Sequence, residues 1–437
     1  MKHYLGDGLC SCGKRHEAAL EELVVGSGVI CRLPEFVRKY GAGKPFLLAD
    51  TNTFAAAGGR VCDVLSAAGI PYSKYVFPQS HLEPDEGAVG SAFMHFDPDC
   101  DLIIGIGSGV INDIGKILSR VTGKRYLIVA TAPSMDGYAS ATSSMSRDGL
   151  KVSLNSRCPD VIIGDLDVLK NAPEHMLRSG LGDMLAKFVS IAEWRIANII
   201  TGEYYCEAVA QLIRTALQKC VENAEGLMQR QEEAVRAVFE GLVIGGIAMA
   251  YAGVSRPASG VEHYFSHVWD MRGLQFGTQV DLHGIQCAVA TLVSVKLYEQ
   301  VKQYVPQEEK AEAFVKEFDY QNWCGQLREF LGQSAETMIA LESKEGKYDK
   351  KTHPARFAII RENWSQILQI LEQELPSARE LETLMERVGL YTDPSELGVD
   401  KGVLEQSFRA TKDIRDKYVL SRLAWDLGVL EQLCDSL

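Results

Sequence analysis

The 437-residue chain lacks any basic run with interleaved aromatics. Its 45 Lys and Arg stand against 58 Asp and Glu, for a formal net charge of -13. A nucleic-acid or anionic-membrane surface needs a basic face, so no nucleic acid and no membrane is expected as a partner. A small phosphorylated ligand stays open, because a few local cations suffice to hold one. No apolar stretch is read as reaching the roughly 18–20 residues of a bilayer span, and the polar start Met1-Lys2-His3-Tyr4 is not that of a signal peptide. The 11 cysteines are odd in number and scattered, which fits reduced thiols in the cytoplasm better than a disulfide scaffold. Internal repeats and low-complexity tracts are lacking as well.

What is present divides at about Asp160–Asp167. Before it, short apolar runs alternate with helical patterns. Strands are expected at Glu22–Ser27, Pro45–Ala49, Lys74–Phe77, Leu102–Ile106 and Tyr126–Ala130, with helices at Pro34–Tyr40, Thr53–Ala68 and Val110–Val121. Such alternation means βαβ units and a mainly parallel sheet. Beyond it, helical periodicity dominates: Leu177–Ile200, Glu203–Asn223, Glu232–Tyr251, Gly284–Gln303 and Ala355–Glu374, with an added helical hairpin in Glu308–Tyr348. The expected fold is an α/β nucleotide-binding domain over residues 1–166 and an all-α domain over 167–437.

Leu102-Ile103-Ile104 runs into Gly105-Ile106-Gly107-Ser108-Gly109 and then a helix. Glycines between a strand and a helix let the backbone and the helix's first N–H groups approach a pyrophosphate. The same pattern also serves as a plain tight turn. Asp50, at a strand end, suits the ribose hydroxyls of NAD, or a helix N-cap. Three of the nine histidines, His263, His267 and His283, fall within 21 residues, and Asp183 lies in Gly180-Leu181-Gly182-Asp183. Imidazoles plus a carboxylate suit a catalytic divalent metal with an open position. Each has a bland alternative, such as an Asp183–Lys187 ion pair one turn apart near the start of a long helix. Arg256 fits a substrate phosphate or a salt bridge equally well. Cys10-Ser11-Cys12-Gly13 followed by His16 resembles part of a metal site, but no fourth ligand is evident nearby, and a plain N-terminal turn accounts for it.

Four segments together resemble the sn-glycerol-1-phosphate dehydrogenases, within the dehydroquinate synthase-like and iron-containing alcohol dehydrogenase group, and more narrowly the bacterial branch associated with arabinose operons. They are Gly105–Lys116, Thr131–Ser140 (TAPSMDGYAS), Ser255–His267 (SRPASGVEHYFSH) and His283-Gly284, with Asp413–Glu431 adding to the likeness. The resemblance implies a Rossmann-like α/β domain followed by a helical metal-binding domain. It implies metal ligation by Asp183, His263 and His283, the metal being zinc or nickel. It further implies NAD(H) or NADP(H) contacts by Asp50, Gly107, Ser108, Gly109, Val110, Thr131, Ser134 and Ser140, and substrate contacts by Asp136, Asp183 and His267. Asp183, His263, His267 and His283 make up the catalytic set. The implied reaction interconverts dihydroxyacetone phosphate, a small phosphorylated triose, and sn-glycerol 1-phosphate in a homodimer. Alternatives are a sugar-phosphate cyclase of the dehydroquinate synthase type, a glycerol or polyol dehydrogenase, and a non-catalytic nucleotide-binding regulator.

Overall fold

Five of the apolar runs expected as strands pair in parallel, and the computed structural model adds a sixth. It describes residues 5–6, 8–79, 81–148 and 150–437, so the start Met1–Tyr4 lies outside the described residues. The strands are β1 (Glu22–Gly26), β2 (Pro45–Asp50), β3 (Ser73–Phe77), β4 (Leu102–Gly107), β5 (Arg125–Ala130), β6 (Thr142–Arg147), β7 (Leu150–Asn155) and β8 (Val161–Asp165). The six-stranded sheet runs β1-β8-β5-β4-β2-β3, while β6 and β7 form a separate antiparallel pair. β4 and β8 are buried along their whole length. That is why Leu102–Gly107 reads as a continuous apolar run rather than an alternating one.

The Asp160–Asp167 stretch expected at the boundary carries a central strand, β8, seated between β1 and β5. Its five residues bracketed by proline and aspartate resemble a linker when read locally. The chain forms two compact units. One runs to Met184 and includes Ala208–Val254; the other comprises Leu185–Glu207 and Ser255–Leu437. Helices from beyond residue 166 therefore complete the unit that holds the sheet.

One of these, Glu232–Ala252, is long and apolar enough by composition to cross a membrane, which corrects the sequence expectation; 72% of its most apolar window is buried within the fold. A helix apolar all round is also what a core requires. Gly245 and Gly246 on it face Asp136 and Ala139, and an added Cβ would come within 3.2 and 3.0 Å of them.

Beyond residue 166 the chain is helical. The single helix expected over Leu177–Ile200 is two, Glu174–Leu185 and Lys187–Thr201, so Asp183 sits near the end of a helix rather than the start of one. The expected Glu203–Asn223 helix begins only at Glu207. Ala355–Glu374 is also two helices, His353–Glu362 and Trp364–Glu374. Between them Asn363 turns its Nδ2 back to Ile359 O at 2.9 Å, competing with the helical ladder. Glu308–Tyr348 holds three helices instead of a hairpin.

Candidate active site

In an open α/β sheet the binding crevice lies outside the strand C-termini where the order reverses. Here the chain passes from β2 outward to β3, then returns to β4 on β2's other side. Asp50 ends β2 and Gly107 ends β4, so both flank this switch point. Gly107 is constrained by packing, because a Cβ there would lie 2.5 Å from Ile111 Cβ. Ser108 is the N-cap of the helix Gly109–Thr122, and Gly109 and Val110 are that helix's first residues. Asp50 Oδ1 accepts the Thr53 N–H at 2.8 Å in a capping box, so the cap role is realised in the structure.

Thr131–Ser140 is a loop pinned from several sides. The Thr131 N–H donates to Gly107 O at 3.1 Å. Ser134 Oγ meets Ser108 Oγ at 2.5 Å, and the Tyr138 hydroxyl donates to Ala132 O at 2.7 Å. Fully buried Lys116 donates to Gly137 O, Ser140 Oγ and Thr142 O, and pairs with Asp113 at 3.0 Å. Ser179 Oγ donates to Ser134 O at 2.9 Å, and a Cβ at Gly180 would fall 1.8 Å from Pro133 O. The Asp136 N–H donates to Asp183 Oδ2 at 2.9 Å, and the two buried carboxylates bring an oxygen each within 4.8 Å. Two buried acids so close repel unless a proton or a cation intervenes.

In the second unit, the helices Val261–Phe276 and His283–Val301 carry the histidines. His263 and His267, four apart, share a face. The His263 and His283 rings lie 5.0 Å apart and the His267 and His283 rings 6.0 Å apart. His263 Nδ1 meets Glu262 Oε1 at 2.9 Å, and His283 Nδ1 meets Ser266 Oγ at 2.9 Å. The Glu262 carboxylate only accepts, so in the neutral ring His263 Nδ1 carries the proton and Nε2 the lone pair, while the Ser266 hydroxyl can donate to or accept from His283. Neutral imidazoles aimed by such partners fit a divalent ion.

Sequence reasoning missed Glu262, Ser266, Lys116 and Cys287. Cys287 follows His283 by four on a helix, the one local signal available, and its Sγ lies 3.6 Å from His283 Nε2. Burial raises the Cys287 thiol, but His263 and His283 bring it below its ordinary value overall. Arg256 resolves as an ion-pair partner. It holds Glu203 through Nε and Nη2 and gives Nη1 to Tyr418 O at 2.9 Å, all while buried. Lys187 donates to Ala258 O at 3.0 Å.

Behind His263 lies Glu193, which accepts the Val261 and Leu420 N–H groups and the Tyr298 hydroxyl. Burial, and then the neighbouring Glu262, push its carboxyl up to about 8. The stability held by a neutral Glu193 is present at low pH and lost as pH rises through that value. Glu193→Gln is therefore expected to flatten the fall in Tm between about pH 5 and about pH 8; parallel curves for variant and parent would refute this.

The sheet and its switch-point loop define a nucleotide-binding class of enzyme. The iron-containing alcohol dehydrogenase family model matches residues 24–173. The crystal structure of glycerol dehydrogenase from Schizosaccharomyces pombe superposes with a TM-score of 0.62 at 19% identity, covering 95% of this chain and 90% of that one. NADH-dependent butanol dehydrogenase A from Thermotoga maritima gives 0.60 at 14% identity, covering 98% and 100%. These two likenesses establish the fold. The glycerol-1-phosphate dehydrogenase (NAD(P)+) of Halalkalibacterium halodurans is 34% identical over 293 residues, 66% of this chain and 73% of its own length. That of Geobacillus stearothermophilus is 29% identical over 410 residues, 93% and 92%. The chain belongs to the glycerol-1-phosphate dehydrogenase family.

Proposed function

We propose that the chain interconverts dihydroxyacetone phosphate and sn-glycerol 1-phosphate with NAD(H) or NADP(H), as a cytoplasmic homodimer. The observation that carries this is its 93% coverage by a relative named glycerol-1-phosphate dehydrogenase. Asp183, His263 and His283 hold one divalent metal, zinc or nickel, in this reading. Supporting it are the paired carboxylates of Asp136 and Asp183 in the first unit and the Nδ1-anchored imidazoles in the second. When bound, the metal supplies a Lewis acid for the reacting oxygen, and the nicotinamide supplies or takes the hydride.

The chain's own residues bind, orient and move the proton. The N–H groups at Gly109 and Val110 meet the pyrophosphate at a helix start, with Gly107 and Ser108 shaping the approach. Thr131, Ser134 and Ser140 line the cofactor, and Asp50 meets the adenosine ribose. Asp136 and Asp183 position the substrate. His267 contacts the substrate hydroxyl and carries its proton toward solvent. Glu262 keeps the His263 ring in its ligating tautomer.

Purified enzyme with dihydroxyacetone phosphate should oxidise NADH, lose that activity to a chelator and regain it with zinc or nickel, and chiral analysis of the product should show sn-glycerol 1-phosphate. Phosphate release without net NADH change would instead make it a cyclase. Faster turnover of unphosphorylated glycerol would make it a polyol dehydrogenase. His267→Ala should keep its metal and lose turnover; wild-type rates in that variant would remove His267 from the mechanism. Glu262→Ala should weaken metal affinity by about 10–100-fold, the usual cost of losing a carboxylate behind a ligating histidine, as measured by competition with a chromophoric chelator.

A further inference from the structure

The N-terminal segment Cys10-Ser11-Cys12-Gly13-Lys14-Arg15-His16 plays no part in the reaction proposed above, yet it is built like a ligand set. Cys10 Sγ, Cys12 Sγ and a His16 ring nitrogen lie within 4.8 Å of one another. Cys12 Sγ and His16 Nε2 are 3.4 Å apart. Tetrahedral zinc, with bonds of about 2.0–2.3 Å, sets its donors roughly 3.3–3.8 Å apart.

The backbone holds this shape by itself. The Gly13 N–H donates to Cys10 O and the Cys10 N–H to Lys14 O, both at 2.9 Å. Gly13 has φ +84, a conformation that a side chain there would oppose. His16 is buried, and its Nδ1 lies 3.0 Å from Tyr251 O. Because a carbonyl only accepts, Nδ1 carries the proton and Nε2 presents its lone pair toward the thiols. Tyr251 lies in the last turn of the helix Glu232–Ala252, where carbonyls lack an intrahelical partner.

We propose that Cys10, Cys12 and His16 form a structural site for a thiophilic divalent ion, zinc by preference, that fastens the N-terminal segment to the end of this core helix. Two thiolates and one imidazole come from this segment; a further thiol or a water takes the remaining corner of the tetrahedron. Binding releases the two thiol protons as the sulfur–metal bonds form, with no change of oxidation state.

The test separates this ion from the one in the proposed active site. His263→Ala protein, purified without chelator, should hold about one zinc per chain by elemental mass spectrometry, and the His263→Ala/Cys12→Ser double variant none. A zinc-free His263→Ala protein, or an undiminished double variant, would overturn the site. Unmutated protein offers a second arm. Peptide mass mapping should show Cys10 and Cys12 protected from alkylation until a strong chelator is added. Equal alkylation before and after chelation would also overturn it. Serine replacement of each other cysteine, read by the same zinc count, identifies a fourth thiol, or water where none lowers it.

Discussion

His263→Ala is expected to lose its active-site metal and about 1,000-fold or more of kcat/KM together, with the helical circular dichroism unchanged. The ring is anchored through Nδ1 by Glu262, itself buried and held by the Gly260 N–H at 2.6 Å, so the donor is set before any ion arrives. Its removal would leave Asp183 and His283 as the proposed ligands, too few for a stable site. Lewis-acid stabilisation is worth several kcal/mol, and at about 1.4 kcal/mol per tenfold a 1,000-fold loss corresponds to about 4 kcal/mol. Elemental analysis beside steady-state kinetics checks the result. A metal-replete variant with parental kcat/KM would remove His263 from the ligand set.

Lys116→Met should destabilise the chain by about 3–5 kcal/mol, the range for removing one partner of a buried charged pair. The ammonium holds Asp113, two loop carbonyls and Ser140, and a thioether satisfies none of them. Because the same contacts fasten Gly137–Thr142 to the glycine-loop helix, NADH affinity should fall with stability. Denaturant melts and fluorescence titration measure the two. A variant with parental stability and weaker NADH binding would show that the lysine acts on the cofactor rather than on the loop.

Five strands were legible because a fully buried parallel strand leaves an unbroken apolar run beside a glycine or polar turn, as Leu102–Gly107 does. The β6–β7 hairpin was not. Leu150, Val152 and Leu154 do alternate in LKVSLN after an Asp148-Gly149 pair, but the serines of TSSMSR, where a half-buried strand more often shows branched apolar residues, hide its partner. The break between Leu185 and Lys187 has no proline or glycine to announce it. The candidate site was legible through its chemistry-bearing types, glycines after a strand and scarce histidines, and through resemblance; neither route reached the residues that support them.

By itself the sequence determined the periodicities, the alternation that makes the sheet parallel, the glycine-to-helix junction and the pool of candidate ligands. These follow from backbone geometry acting over a few residues. The tertiary structure alone decided which partner each polar group takes. Arg256 went to Glu203, 53 residues away, Lys116 to the Gly137–Thr142 loop, and His283 to Ser266. It also joined Cys287 to His263 and His283, and put Cys10, Cys12 and His16 into one cluster. The physical reason is that a buried polar group must find a partner within about 3 Å, and which partner comes that close is set by chain closure over long separations, on which local pattern carries no information.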